Sequence, residues 1–486
     1  MSSAQMIGLR ICWGVKRGKR LVCREPVTDE AVIREVLELV EELRRRIEVH
    51  KDKLGNAVFI DELINLLEQW LEEHRDDKGK KIKEARKIAR KMIKLLKKLR
   101  RKWIETYWRR FMELMELLER NATEIIVTGE NNGEKSLMVH LYNKNIAVIV
   151  NKVAKGGGVT ISLVLSELKG DDVKVLNTFS DEELLKAVQH GWEMTDGGVI
   201  DDHPAMGTSR PWQVVLWSLA YPGKIRMFIH GININGDDAS IRWQLIAKDH
   251  RAKPKEEVAK EVERFSTERL RAFLAPAMWG DGEVNVGGKY VRLTVGLGKY
   301  DLWLGIIERL INELGFKMYP RDYKVEVEVN SSKAVKLARD WLAVPDLREL
   351  IELGASLPGG EKLKRIIELA NKEIKERGSK SITIPGTNIS MNVHIRKDGR
   401  VELKVKRRSE DETLRLVEEL TKAGYKATKY VVGEGYAVSI AHANIRDSPL
   451  REPVCQKLSG WLEGEKNERR KKRMAKAMQN LKCLDK

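Results

Sequence analysis

Cysteine is scarce in this chain. Four stand in 486 residues, at Cys12, Cys23, Cys455 and Cys483, and none forms a CxxC pair. That spacing excludes a zinc ribbon and a dithiol redox motif, and it leads us to expect a reduced, cytoplasmic setting. Long apolar runs are missing as well: no stretch approaches the ~18 apolar residues of a membrane span. The opening MSSAQMIGLRICWGVKRGKR places its basic residues after a short apolar stretch, so it does not read as a signal peptide. The signatures of several catalytic classes are absent too. KGGGVT at 155–160 lacks Walker spacing and a following helix, so it reads as a hairpin turn and argues against an ATPase. No GxSxG elbow or Ser-His-Asp order supports acyl transfer. Asp201, Asp202 and His203 form an acidic turn with no second His at ligand spacing, which sets them aside as a metal site.

Positive charge is abundant. Lys and Arg number 90 against 72 Asp and Glu, a net charge of +18. That balance favours a polyanionic partner, nucleic acid before membrane. Charged residues make up 33% of the chain and are rich in Lys and Glu, as in proteins of hot organisms. The length predicts roughly two to four domains.

Residues 1–122 read as a basic helical arm. KKIKEARKIARKMIKLLKKLRRKWIETYWRR at 80–110 carries Ala85, Ile88, Met92, Leu95 and Leu99 at three-four spacing, with an opposite face almost wholly Lys and Arg. That face suits phosphates, an anionic membrane surface, or plain solvent on a helical hairpin. Residues 123–179 switch to strand-like alternation with Gly and Asn turns.

Two later segments carry the chemistry, QHGWEMTDG at 189–197 and LAPAMWGDG at 274–282. Each closes an amphipathic helix, and each ends in Asp-Gly. Asp196 and Asp281 lie 85 residues apart (281 minus 196). Gly191 and Thr195 are four apart on one helix face, and Pro276 and Gly280 repeat that spacing. Small residues on facing helices allow close backbone approach, as in small-xxx-small pairs. The two Asp would then meet at the helix ends, where a divalent cation such as Mg²⁺ can hold paired carboxylates together.

The second segment resembles the LAGLIDADG motif of homing endonucleases. Leu274, Ala275, Asp281 and Gly282 match it identically, while the first segment keeps Gly191, Asp196 and Gly197. The arrangement also resembles crenarchaeal PaRep-type paralogous proteins. The resemblance covers about 180–355. Pro276 departs from it by replacing a helix Gly, which removes a donor and is expected to kink the helix.

The resemblance implies an α+β fold: duplicated LAGLIDADG-like α/β modules with antiparallel saddle sheets, at 180–265 and 266–355, behind the long helical arm. It implies Asp196 and Asp281 as catalytic and Mg²⁺-binding residues at a seam of Gly191, Thr195, Pro276 and Gly280. Double-stranded DNA is the implied partner, with RNA the other nucleic acid the charge admits and no membrane. The chain would act as a monomeric pseudo-dimer. Lys248, Lys324, Arg226, Arg242, Lys289 and Arg292 are the candidate nucleic-acid contacts. Each module reads helix, strands, helix, strand or hairpin, helix, and Ser180 and Ser266 are the expected helix caps. Residues 356–486 read as a basic α/β domain with a helical tail, repeating the same strand–strand–helix–strand–strand order without the Asp-Gly helix end. The expected activity is Mg²⁺-dependent, site-specific DNA cleavage. The alternatives are a regulator or maturase that binds without cutting, and a helical assembly protein that binds no DNA.

Overall fold

The structure is a computed structural model. It describes residues 10–18, 20–129, 137–152, 158–236, 238–374, 380–407, 409–433, 435–465 and 467–483. The chain divides into two compact units, Met1–Lys372 and Glu373–Lys486.

The first unit opens with strands β1 (Arg10–Arg17) and β2 (Arg20–Pro26). Helices α1 (Glu30–Gly55), α2 (Val58–Glu73) and α3 (Lys80–Lys102) follow, then a π-helical turn at Trp103–Tyr107 and α4 (Trp108–Glu119). Strands β3 (Glu124–Thr128), β4 (Met138–Asn143), β5 (Ile146–Lys152), β6 (Val159–Leu165) and β7 (Asp171–Val175) come next. β5 and β6 pair antiparallel from Lys152↔Val159 inward. The hairpin turn expected at KGGGVT falls largely on 153–157, outside the described residues.

The expected arm is instead part of the first unit. α3 buries Ala85, Ile88, Ala89, Met92, Ile93, Leu95, Leu96 and Leu99, so its apolar stripe is a core face. Its cations are largely occupied. Lys91 and Lys94 reach Asp171 at 3.1 and 2.9 Å, and Lys98 and Lys102 donate to the carbonyls of Lys169 and Glu167. Lys81 is buried and pairs with Asp346 and with Glu349. Asp346 also accepts from the Ser180 amide at 3.1 Å and from its hydroxyl at 2.7 Å. Removing one partner of a buried pair leaves the other charge stranded, which costs about 3–5 kcal/mol. Asp346→Ala is therefore expected to lower the urea midpoint by a corresponding amount. An unchanged midpoint would show that Lys81 finds water instead.

The segment that follows runs α5 (Glu182–Met194), β8 (Gly197–Ile200), β9 (His203–Thr208), α6 (Pro211–Ala220), β10 (Gly223–Ile234), β11 (Ala239–Ala247) and α7 (Lys255–Val262). The next runs α8 (Thr267–Asp281), β12 (Gly282–Asn285), β13 (Tyr290–Gly296), a 3₁₀ turn, α9 (Tyr300–Leu314), β14 (Lys317–Pro320), β15 (Lys324–Asn330) and α10 (Ser331–Ala343). The element order is the same: helix, two strands, helix, two strands, helix. The sheet order is also the same, β8-β9-β11-β10 in one and β12-β13-β15-β14 in the other, with all four strands antiparallel. In the first segment β10 also pairs with β6 and β7, which extends that sheet to eleven strands; the second stays at four. Helices α11 (Pro345–Ser356) and α12 (Glu361–Ala370) complete the unit.

Local chemistry explains the element ends. Asp181, not the expected Ser180, caps α5 by accepting from the amides of Glu183 and Leu184; the Ser180 hydroxyl is spent on Asp346. Ser266 caps α8 as expected, from the amide of Arg269. α6 starts at Pro211 and is buried on every side, the pattern of a helix inside a core. Asp201 and Asp202 have φ of 49° and 60° and form the two-residue turn of the β8–β9 hairpin. That is the primed turn geometry that Asp tolerates, and it accounts for the acidic pair without a metal.

The second unit holds β16 (Ser381–Thr383), β17 (Ser390–Ile395), β18 (Val401–Arg407), α13 (Glu410–Lys422), β19 (Ala427–Val432), β20 (Gly435–Ile440), α14 (His442–Arg446), α15 (Arg451–Gly464) and α16 (Glu468–Asn480). Its sheet is antiparallel in the order β16-β17-β18-β20-β19.

The cysteines correct one part of the sequence expectation, the reduced thiols. All four are paired, Cys12 with Cys23 and Cys455 with Cys483, each with Cα atoms 5.5 Å apart. The β1–β2 hairpin brings the first pair together, and the α15–α16 helix pair brings the second. Neither proximity is visible in the spacing. No helix among the described residues is long and apolar enough to cross a membrane.

Candidate functional site

The seam between α5 and α8 is unusually close. A Cβ on Gly191 would lie 2.4 Å from the Phe273 carbonyl oxygen and 2.7 Å from Pro276 Cγ. A Cβ on Gly280 would lie 2.8 Å from Thr195 Oγ1 and 3.0 Å from Asp196 Oδ2. Only residues without side chains allow this approach. Thr195 turns its hydroxyl back to the Gly191 carbonyl at 2.8 Å, so it adds no unpaired donor to the contact. α8 runs unbroken through Pro276, whose ring fills the space that Gly191 leaves. Trp192 and Trp279 meet edge to face beneath the ends, with centroids 5.9 Å apart.

The seam delivers Asp196 and Asp281 to one polar cavity of about 460 Å³. It is also lined by Thr208, Arg210, Gln213, Asn233 and Arg242. Gln213 donates to Asp196 Oδ2 at 2.8 Å, and its own carbonyl is fixed by the Thr208 hydroxyl. Desolvation first, and then the charge of Asp196, push the Asp281 carboxyl above its ordinary value, while Lys299, Lys362 and Lys255 pull it down.

Those lysines reach the pair from three elements. Lys299 precedes α9 as Arg210 precedes α6, so the two cations occupy equivalent places in the two segments. Lys255 opens α7. Lys362 comes from α12 and donates to the carbonyls of Trp279 and Gly280, both at 2.9 Å. It thereby caps the C-terminal end of α8, which favours a cation. Burial, with Arg210 adding to it, brings the Lys362 ammonium down to about 8 against the pull of both aspartates. Burial and then Lys299 lower Lys255 in the same way.

The other nominated residues divide. Arg242 lines the cavity. Arg226 sits on β10 of the same sheet, exposed and paired in register with Ile246. Lys248 follows the end of β11, where its amide donates to the Lys224 carbonyl at 2.8 Å, and it is not among the residues that line the cavity. On the second sheet Arg292 is engaged by Glu328 at 2.7 Å, with Glu283 at 3.5 Å and Glu326 at 3.9 Å. Lys324 pairs with Glu326 at 2.9 Å. Lys289 takes the left-handed turn position before β13, with φ of 50°. Arg210, Gln213, Lys255, Lys299 and Lys362 were not singled out in the sequence. Aligning the two repeats on their second helices would have found Arg210 and Lys299; nothing in the sequence marks Lys362.

A charged cluster supports the seam from behind. Buried His190 places one ring nitrogen 2.7 Å from Glu193 and the other 3.0 Å from Glu261. Burial pushes the Glu261 carboxyl up, but hydrogen bonds from Lys186, Lys253 and His190 outweigh it and hold the group at about 2. Hydrogen bonds from Lys94 and Lys91 likewise hold Asp171 at about 2. A carboxylate depressed in the folded state contributes stability that is complete above its unfolded value and lost as pH falls toward the folded one. Unfolding midpoints of the first unit are therefore expected to fall as pH drops from about 4.5 to about 2. Glu261→Gln should flatten that slope, and a midpoint independent of pH in this window would contradict it.

No family model matches this chain, and no curated protein matches it. The functional reading therefore rests on the chemistry of the cavity. Among the described residues no three His, Cys, Asp or Glu side chains gather to hold a metal. The ligands the cavity offers are the two carboxylates, both hard oxygen donors; the Gln213 amide is taken up by Asp196 and Thr208. That set fits an ion such as Mg²⁺, which keeps several waters and shares its remaining positions with phosphate. The upward push of Asp196 on Asp281 is a repulsion that such a cation would relieve.

Proposed function

We propose that this protein is a LAGLIDADG-like DNA-binding protein whose paired helix ends hydrolyse phosphodiester bonds with Mg²⁺. The observation that carries the reading is the meeting of Asp196 and Asp281 at a seam that Gly191 and Gly280 keep close, facing a polar cavity lined by Arg210 and Arg242, with Lys255, Lys299 and Lys362 acting on Asp281 by charge. The repeated element and strand order supports a duplicated module.

Two carboxylates, with two arginines in the cavity wall and three lysines acting on Asp281 by charge, suit a substrate that brings negative charge. Phosphate oxygens would be met by Arg210 and Arg242, which line the cavity. Lys255 and Lys362, partly desolvated, would act more strongly on charge developing at the leaving oxygen than exposed lysines could. Gln213 fixes one Asp196 oxygen and so holds the carboxylate at the cavity wall. Mg²⁺ held by Asp196 and Asp281 would lower the pKa of an attacking water and neutralise phosphate charge.

One observation weighs against duplex lying across the second sheet. The second sheet's basic residues are committed to Glu283, Glu326 and Glu328, so duplex there must displace existing ion pairs. Equilibrium binding and cleavage separate the two readings. A nuclease cuts bound duplex when Mg²⁺ is added, and a retired nuclease holds it intact.

A further inference from the structure

The second unit repeats a pattern already seen twice. Its strands β17, β18, β20 and β19 lie side by side in that order, with α13 between the hairpins and α14 after them. This is the first-second-fourth-third order of both segments of the first unit. The unit has no counterpart of the Asp-Gly helix end, so what it retains is the sheet.

One face of that sheet is core. Met391, Val393, Leu403, Val405, Val438 and Ile440 cluster with Leu420, Ile445, Val454, Leu458, Ala477 and Leu481 from the helices. Strand registers set the composition of the opposite face. Asn392, Lys404, Ser439 and Thr428 form one cross-strand row; Lys406, Ala437 and Tyr430 form the next; His394 stands beside Glu402. Lys404 Nζ lies 4.5 Å above the Tyr430 ring. Glu402 is the one carboxylate among the described strand residues of the unit, and Arg396 neutralises it at 3.2 Å. His394 is held below its ordinary value by burial and then by Lys404, with Lys380 and Lys406 adding to it. Residues 373–486 hold 26 Lys and Arg against 16 Asp and Glu, so this unit carries +10 of the chain's +18.

We propose that this open face binds the backbone of duplex DNA as a second, non-cutting contact. Charge complementarity selects a polyanion. The chemistry of the face selects a duplex over an unstacked strand: its one aromatic ring, Tyr430, is covered by an ammonium, so it offers no stacking platform for bases. Lysines beside the exposed Asn392 and Thr428 are the donors that meet phosphate and sugar, while Ser439 is buried against Thr428. The inference rests on the DNA reading of the first unit only for the identity of the polyanion. Its consequence is avidity: a tethered second contact raises the local concentration of duplex at the first.

The test measures salt-dependent binding of a long random-sequence duplex by the full chain. Wild type is compared with Lys404→Glu/Lys406→Glu and with the milder Lys404→Gln/Lys406→Gln. Each lost phosphate contact lowers the slope of log affinity against log salt by about 0.9. The double reversal is expected to flatten the slope by roughly 2 and weaken binding about tenfold or more at moderate salt. The Gln pair, which leaves the fold's charge balance closer to native, should fall between. Equal affinity and slope for all three chains would overturn the inference. Binding that depends on Lys404 and Lys406 without any cutting would sink the nuclease and leave this contact standing. Cutting with binding indifferent to both lysines would do the reverse, and a wild type that binds no duplex overturns both.

Discussion

Changing Asp196 and Asp281 together to Asn is expected to lower DNA cleavage by roughly 10³-fold or more while leaving duplex affinity nearly intact. Asn keeps the shape of each side chain and its seat at the seam. It removes the two negative charges that would hold Mg²⁺, and it leaves Arg210, Lys255, Lys299 and Lys362 to meet phosphate. Binding should even tighten modestly, since two negative charges have left a cavity lined by Arg210 and Arg242. The single change Asp281→Asn has a stability signature of its own. The folded chain holds a proton on Asp281 more firmly than the unfolded chain does, because desolvation and Asp196 raise it. Ionisation therefore costs stability; the cost is absent below the unfolded pKa and complete once pH passes the folded one. At neutral pH without divalent ions, Asp281→Asn should melt higher than wild type. Added Mg²⁺ should raise the wild-type melting temperature and leave the variant unmoved. Melting curves with and without Mg²⁺ check both statements. An equal Mg²⁺ response in the two proteins would place the ion elsewhere.

Gly191→Val is expected to destabilise the first unit by ~3 kcal/mol or more. The added Cβ alone would fall 2.4 Å from a backbone oxygen and 2.7 Å from the Pro276 ring. Neither neighbour can rotate away, so α5 and α8 must separate, and with them the two Asp. Gly280→Ala meets softer neighbours, the Thr195 hydroxyl and the Asp196 carboxylate. It should cost less stability but displace Asp196, so activity per folded molecule falls. Urea midpoints for both variants, read beside cleavage of folded protein, separate the two effects. A wild-type midpoint for Gly191→Val would mean that the helices do not pack as closely as described.

The seam was legible because its chemistry is local. Small residues four apart and a closing Asp-Gly, twice over, predict two helices that touch and end together, and the structure brings those residues together. The hairpin after the first segment's second helix was legible for the same reason: KIRMFIHGININ and ASIRWQLIAKD alternate, and β10 and β11 pair. What escaped was set by tertiary structure. β14 is a short edge strand with all four residues exposed and a Pro at its end, so it carries no alternation to read. The basic stripe of α3 looked like a free surface because the segment at 167–174 that occupies it, the approach to β7 and its first residues, lies some 70 residues later, for example Lys98 to Lys169. Lys362 reaches the α8 carbonyls from more than 80 residues downstream. Charge run and solvated face look alike in sequence; burial alone tells them apart.

The central claim is that paired aspartates at a duplicated helix seam cut DNA. Metal-dependent nicking of a randomised duplex library by the full chain tests it most directly, with Asp196→Asn/Asp281→Asn alongside. The account predicts nicks that appear with Mg²⁺, vanish with chelator, concentrate in one sequence context, and are lost in the double variant. Duplex held intact by both proteins with Mg²⁺ present, or nicking undiminished in the double variant, would contradict it.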